Sequence, residues 1–205
     1  MASVIVSGDT SGTITIAAPA VAGSGVLTLP TGTDTLVGKA TTDTLTNKSI
    51  AATQLTGTIA ASALPAGSVL QVVQGTTSTN VTNSTTTYVD TTLTATITPR
   101  STSSKILAFI TMNGLEKSTG NVANSLGFKL LRDATLVSEY AQYNLYTNSL
   151  SILLGLSSTF NYLDSPSSTS ALVYKVQFKN MAASAIVYVQ SNSNISTITL
   201  MEIQG

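Results

Sequence analysis

The chain has 205 residues, no net charge, no cysteine and no histidine; 42% of its residues are hydrophobic and only 9% are charged, against about 25% charged in ordinary soluble domains. Nine basic residues against nine acidic ones leave no electrostatic footprint for nucleic acid. No apolar run is long enough for a membrane span. Disulfides, thiolate metal sites and Ser-His or Cys-His nucleophile pairs are excluded by composition.

The missing charge is replaced by hydroxyls, with 35 Thr and 27 Ser. Thr is β-branched and stiff at its first torsion, so it suits a pleated strand better than a helix. The chain therefore reads as all-β. An isolated soluble domain usually keeps a charged surface, and the cores of interfaces are depleted in charge. Much of this surface is thus expected to be buried against copies of the chain or against a scaffold.

In chain order, Met1 to Ser7 has no basic region ahead of an apolar stretch, so no secretory signal is expected there. Up to the break at Pro65-Ala66-Gly67, apolar residues come in short bursts between Gly, Pro and Thr. Ile14 and Ile16 alternate with Thr13 and Thr15, and Leu27 and Leu29 flank Thr28, which predicts strands of three to five residues. Residues 1–67 hold no aromatic residue. So small an apolar payload should not fold alone and needs neighbours. Residues 1–67 are therefore read as an attachment arm and connector, with Ile14, Ile16, Leu27 and Leu29 as the candidates for burial in attachment and self-association. From Lys39 to Leu64 the apolar spacing is near five and fits neither a helix nor a strand; a short helix and an extended stalk both remain open.

Residues 68–205 read as a sandwich of roughly eight short strands, of jelly-roll type. Val69 to Val73 is an apolar run, and Thr92 to Thr98 alternates. Ile106 to Met112 is nearly all apolar, which predicts a strand covered on both faces. Leu126 to Leu131 and Leu150 to Leu156 follow. Leu172, Tyr174, Val176 and Phe178 alternate with polar residues, the clearest period of two in the chain. Ile186 to Val189 and Ile198 to Ile203 complete the set. Thr76 to Thr87 reads as a loop, as do the stretches near Pro99–Ser104, Lys117–Asn124, Asp164–Ser170, Asn180–Ser184 and Ser191–Ser196.

Carboxylate chemistry, as in glycosidases, is what the composition leaves for catalysis. Asp133 and Glu139 could approach across a hairpin, but no carboxylates form a compact motif, and the two are read as solvated edge residues. No enzyme activity, cofactor or metal site is expected. Tyr140, Tyr143 and Tyr146 are concentrated in the polar stretch Ser138 to Ser149. Tyr combines an apolar ring with a hydroxyl, so this stretch is read as a tyrosine-bearing loop that either packs in a contact or touches a receptor, including a glycan.

Three stretches in the first quarter carry a family resemblance. They are residues 11–23 (SGTITIAAPAVAG), 27–30 (LTLP) and 42–50 (TDTLTNKSI). Residues 97–106 (ITPRSTSSKI) and 197–203 (TITLMEI) add to it. Together they resemble tail-fibre and other appendage proteins of tailed bacteriophages, especially phages of cyanobacteria and other marine bacteria. The stretch 43–48 (DTLTNK) is the most specific piece. The resemblance implies a homotrimer whose N-terminal part is fixed to the capsid, portal or tail and whose C-terminal β domain is displayed at the virion surface, after synthesis in the bacterial cytoplasm. The chain is short for a host-reaching tail fibre, which points to a short surface fibre or a capsid decoration protein. A tail-fibre adhesin for a host glycan and a polysaccharide-degrading enzyme are the alternatives.

Overall fold

A computed structural model gives the fold. It describes residues 3–7, 10–17, 31, 49–51, 53, 56–57, 59–117, 124–147, 156–182 and 186–205. The chain divides into two compact units, Met1–Thr56 and Gly57–Gly205. Among the described residues there are twelve strands, two short 3-10 turns (Ala61–Ala63 and Ser191–Ser193) and no α-helix.

In the first unit, β1 (Ser3–Ser7) pairs antiparallel with β2 (Thr13–Ala17), with Val4 opposite Ile16 and Val6 opposite Ile14. The expected strand at Ile14 and Ile16 is present as β2, and β1 is an addition. Leu27 and Leu29 lie outside the described residues. Ile5 and Val6 are exposed.

The second unit contains β3 (Val69–Thr77), β4 (Val81–Asn83), β5 (Val89–Ile97), β6 (Lys105–Lys117), β7 (Asn124–Arg132), β8 (Thr135–Thr147), β9 (Leu156–Asp164), β10 (Leu172–Asn180), β11 (Val187–Val189) and β12 (Ser196–Ile203). They form two antiparallel sheets. One has the order β5-β10-β7-β8; the other has β3-β12-β6, with β9 pairing along β6 and β11-β4 continuing from its far end. Period-two alternation directs one side of each strand into a single shared core. Leu93, Ala95 and Ile97 of β5 and Leu172, Tyr174, Val176 and Phe178 of β10 face Ile106, Ala108, Ile110 and Met112 of β6 and Ile198 and Leu200 of β12.

The two sheets also meet at both lateral edges, which protects strands that would otherwise offer open ladders. At one edge β3 approaches β5 so closely that a Cβ on Gly75 would lie 1.9 Å from the carbonyl oxygen of Thr94. There β5 bulges: three residues, Thr91 to Leu93, stand opposite Val176 alone, and Thr92 takes φ 65°, a left-handed conformation costly for a β-branched residue. The hydroxyls of Thr77 and Thr92 join across the gap at 2.8 Å. At the other edge Tyr140 of β8 stacks on Phe160 of β9, ring centroids 4.1 Å apart.

Three expectations are corrected. Thr76 to Thr87 is not all loop. β3 runs to Thr77, and β4 pairs with β11, because Val81 packs on the core and Asn83 donates to the carbonyl oxygens of Thr87 and Phe178. The polar, tyrosine-bearing stretch is not a loop: it lies mostly in β8, which turns back from β7 at Asp133, where φ is 54°. A strand was expected to end at Leu156, but β9 begins there and runs to Asp164; residues 150–155 lie outside the described set.

Candidate interaction surfaces

The outer faces of the two sheets differ sharply in chemistry. On the four-stranded sheet, strand registry places Asp90, Gln177, Lys129 and Glu139 in one row across β5, β10, β7 and β8. Lys175 pairs with Asp90 at 3.2 Å, and Gln177 Nε2 donates to Asp90 Oδ1. Tyr88, just ahead of β5, lies across this face. Its ring carries Lys129 Nζ at 4.5 Å and Lys179 Nζ at 4.8 Å from the centroid, a cation–π arrangement, and its hydroxyl donates to Glu139 Oε1. Burial, then the hydrogen bond to Glu139 and its charge, hold the Tyr88 hydroxyl well above the usual tyrosine range. Two ion pairs, Lys175–Asp90 and Lys179–Glu139, and a third lysine over the Tyr88 ring make this a charged, polar surface. Beside Thr92 a cavity of about 170 Å³ is lined by Asp90, Thr94 and Lys175 among others. Cavities that bury drug-sized ligands usually measure about 300–1,000 Å³, so this one holds little.

The outer face formed by β3, β12, β6 and β9 is the opposite. Registry aligns Val72, Met201, Leu107 and Leu163 in one row across all four strands. The next row is Gln74, Thr199, Phe109 and Asn161. Val72 is 55% exposed and Leu163 48%. The sequence offered a signal for this row. Ile106 to Met112 reads as a strand covered on both faces, yet one chain covers only the side of Ile106, Ala108, Ile110 and Met112; Phe109 is exposed and Leu107 half-buried.

The three candidate tyrosines all lie on β8, but the described ones have different surroundings. Tyr140 is half-buried over Phe160, and its hydroxyl donates to the carbonyl oxygen of Asn161. Burial raises its hydroxyl above the usual range. Tyr146 is exposed. The side chain of Tyr143 lies outside the described residues.

The carboxylates have separate partners. Asp133 accepts from the Val173 N–H at 3.0 Å in the hairpin turn, while Glu139 is engaged by Tyr88 and by Lys179 at 3.8 Å. Asp164 accepts from Arg132 and from the buried hydroxyl of Tyr174, which ties β9 to β7 and β10. Among the described residues no group of three or more His, Cys, Asp or Glu could hold a metal ion, and no helix is long and apolar enough to cross a membrane. No protein-family model matches the chain, and no curated protein matches it.

Proposed function

We propose that this chain is a non-enzymatic structural protein of a tailed-phage virion: a trimeric surface fibre or capsid decoration protein, anchored by its N-terminal residues and displaying a β-sandwich. The observation that carries the reading is the strand order of the second unit. Counting its eight long strands in sequence, one sheet runs first, eighth, third, sixth, and the other second, seventh, fourth, fifth. That order fits the double Greek key of a jelly roll, an architecture that recurs in viral capsid and lectin domains, and so supports the jelly-roll part of the reading. Fold alone does not assign function. The phage reading rests in addition on the resemblance carried by residues 11–50, 97–106 and 197–203 and on the scarcity of charge.

The N-terminal hairpin supports an anchoring role. A two-stranded hairpin is marginal on its own in water, and Ile5 and Val6 stand exposed on β1. Closed trimeric symmetry or a docking surface would cover such residues without runaway growth.

Ile16→Asp tests the reading. The substitution places a charge in the β1–β2 pair, opposite Val4. Particles assembled with this variant are expected to lose the protein, while its C-terminal unit keeps the far-UV circular dichroism of a folded β domain. Incorporation at normal copy number would overturn the anchoring role. The adhesin alternative retains Tyr146 as its exposed candidate. Adsorption to host cells that drops on Tyr146→Ala, at unchanged copy number, would favour it.

A further inference from the structure

We propose that the open face of the β3, β12, β6 and β9 sheet is where the second unit packs against further copies of the same chain. The inference deepens the trimer part of the reading above and names the surface responsible.

Four observations converge on a copy of the chain as the occupant. First, the row Val72, Met201, Leu107, Leu163 crosses the whole sheet, and Phe109 extends it. Soluble monomers rarely expose contiguous apolar patches of this kind unless they are used. Second, the neighbouring side chains are amides and hydroxyls such as Gln74 and Thr199, which both donate and accept. Registry places two charged residues on the outer side of these four strands, both at the ends of β6: Lys105 opposite Ile203, and Glu116 opposite Tyr188, where it is buried and accepts from Asn192 Nδ2. A face of this chemistry meets its own copy without burying an unmatched ion, whereas a partner of strong charge would find nothing to pair with. Third, the outer face of the other sheet carries Asp90, Lys129, Glu139, Lys175 and Lys179, three cations against two anions, with Lys175 paired to Asp90, Lys179 to Glu139 and Lys129 over the Tyr88 ring. The unit thus has one face suited to water and one suited to burial. Fourth, the size is right. Four strands about 4.8 Å apart and about eight residues long at about 3.3 Å each span roughly 19 by 26 Å, or about 500 Å² in projection. Accessible area exceeds projected area, so the face is of the order of the roughly 800 Å² that each partner buries in a stable interface.

The absence of cysteine makes the test direct. Val72→Cys and Leu163→Cys, each in the full chain, place single thiols on the proposed interface; Thr96→Cys, on β5, places one on the opposite sheet. Thiol reactivity follows access, so a maleimide probe is expected to label positions 72 and 163 roughly tenfold more slowly than position 96. Sedimentation should give a multimer for all three variants and a folded monomer for Leu163→Lys. Equal labelling at all three positions would overturn the proposal, even for a multimeric chain, because another surface would then hold the copies together. Slow labelling in a monomer would overturn it too, by placing the chain's own residues over the face. A multimer that persists in Leu163→Lys would do the same. All of this is measured on purified protein, so it is blind to particle location, and the virion reading can fail without it.

Discussion

Glu202→Ala is expected to cost the second unit a large part of its stability. Glu202 lies on the inner side of β12 and is fully buried. One carboxylate oxygen accepts from the Arg100 N–H at 2.6 Å and the Ser104 hydroxyl at 2.7 Å, and the other accepts from Gln71 Nε2 at 2.6 Å. The side chain thereby fixes the turn between β5 and β6 and ties it to β3 and β12. Alanine would leave three donors without their acceptor and a gap beneath the turn. A buried donor left unsatisfied costs about 1–3 kcal/mol, and donors nearer the surface recover water, so a total loss of about 3 kcal/mol is expected. Domains of this kind have only about 5–15 kcal/mol in hand.

The same site sets a pH dependence. Burial pushes the Glu202 carboxyl up, but the hydrogen bonds from Gln71, Ser104 and the Arg100 backbone, with the charge of Arg100, outweigh it and hold the group below the usual glutamate value. A carboxyl lowered on folding contributes stability that is present above its unfolded value and lost as pH falls through the folded one. Urea denaturation between neutral and acid pH should therefore show the wild type losing stability on acidification. The alanine variant should start lower and follow a shallower slope. Parallel curves would show that the carboxylate is not held as described.

Phe128→Ala is the second large effect. Phe128 is fully buried in β7, in register with Phe178 on one side and Tyr140 on the other. Its ring centroid is 5.8 Å from that of Phe160, on the opposing sheet. Phe128 therefore joins both sheets at the closed edge, where Tyr140 caps Phe160. Truncating a buried Phe to Ala costs about 3–5 kcal/mol when the site cannot collapse, and a site held by ladders on both sides has little freedom to do so. The urea midpoint should fall with an unchanged slope, while Val173→Ala, on the outer face of β10, should barely move it. A loss of less than about 1 kcal/mol would mean that the two sheets are not joined through this cluster.

The parts of the fold legible in the sequence are those where one face is core and the other is water. β5 and β10 alternate cleanly because their outer sides carry Thr, Lys and Gln over a solvated surface. β4, β8 and β9 were hidden for a different reason. Their pairing relies on ladders and on a few anchors, Val81, Tyr140 and Phe160, set among polar residues that resemble loop. In β6 the sequence pointed past the single chain. Its unbroken apolar run implies cover on both sides, and one chain supplies only one. Of the candidate site residues, Ile14 and Ile16 fall on a paired strand. The tyrosines were legible as a concentration, but their division between a packed Tyr140 and an exposed Tyr146 depends on which strand lies beside them. The apolar row could not be read in advance because it is built by registry between strands far apart in the chain.

We propose that this protein is built into a virion as closed trimers. The most direct measurement is its copy number in purified particles, by quantitative mass spectrometry against the major capsid protein. A fixed number divisible by three is expected: hundreds of copies for a capsid decoration protein, or the few sets of an appendage. Absence of the protein from the particles would contradict it.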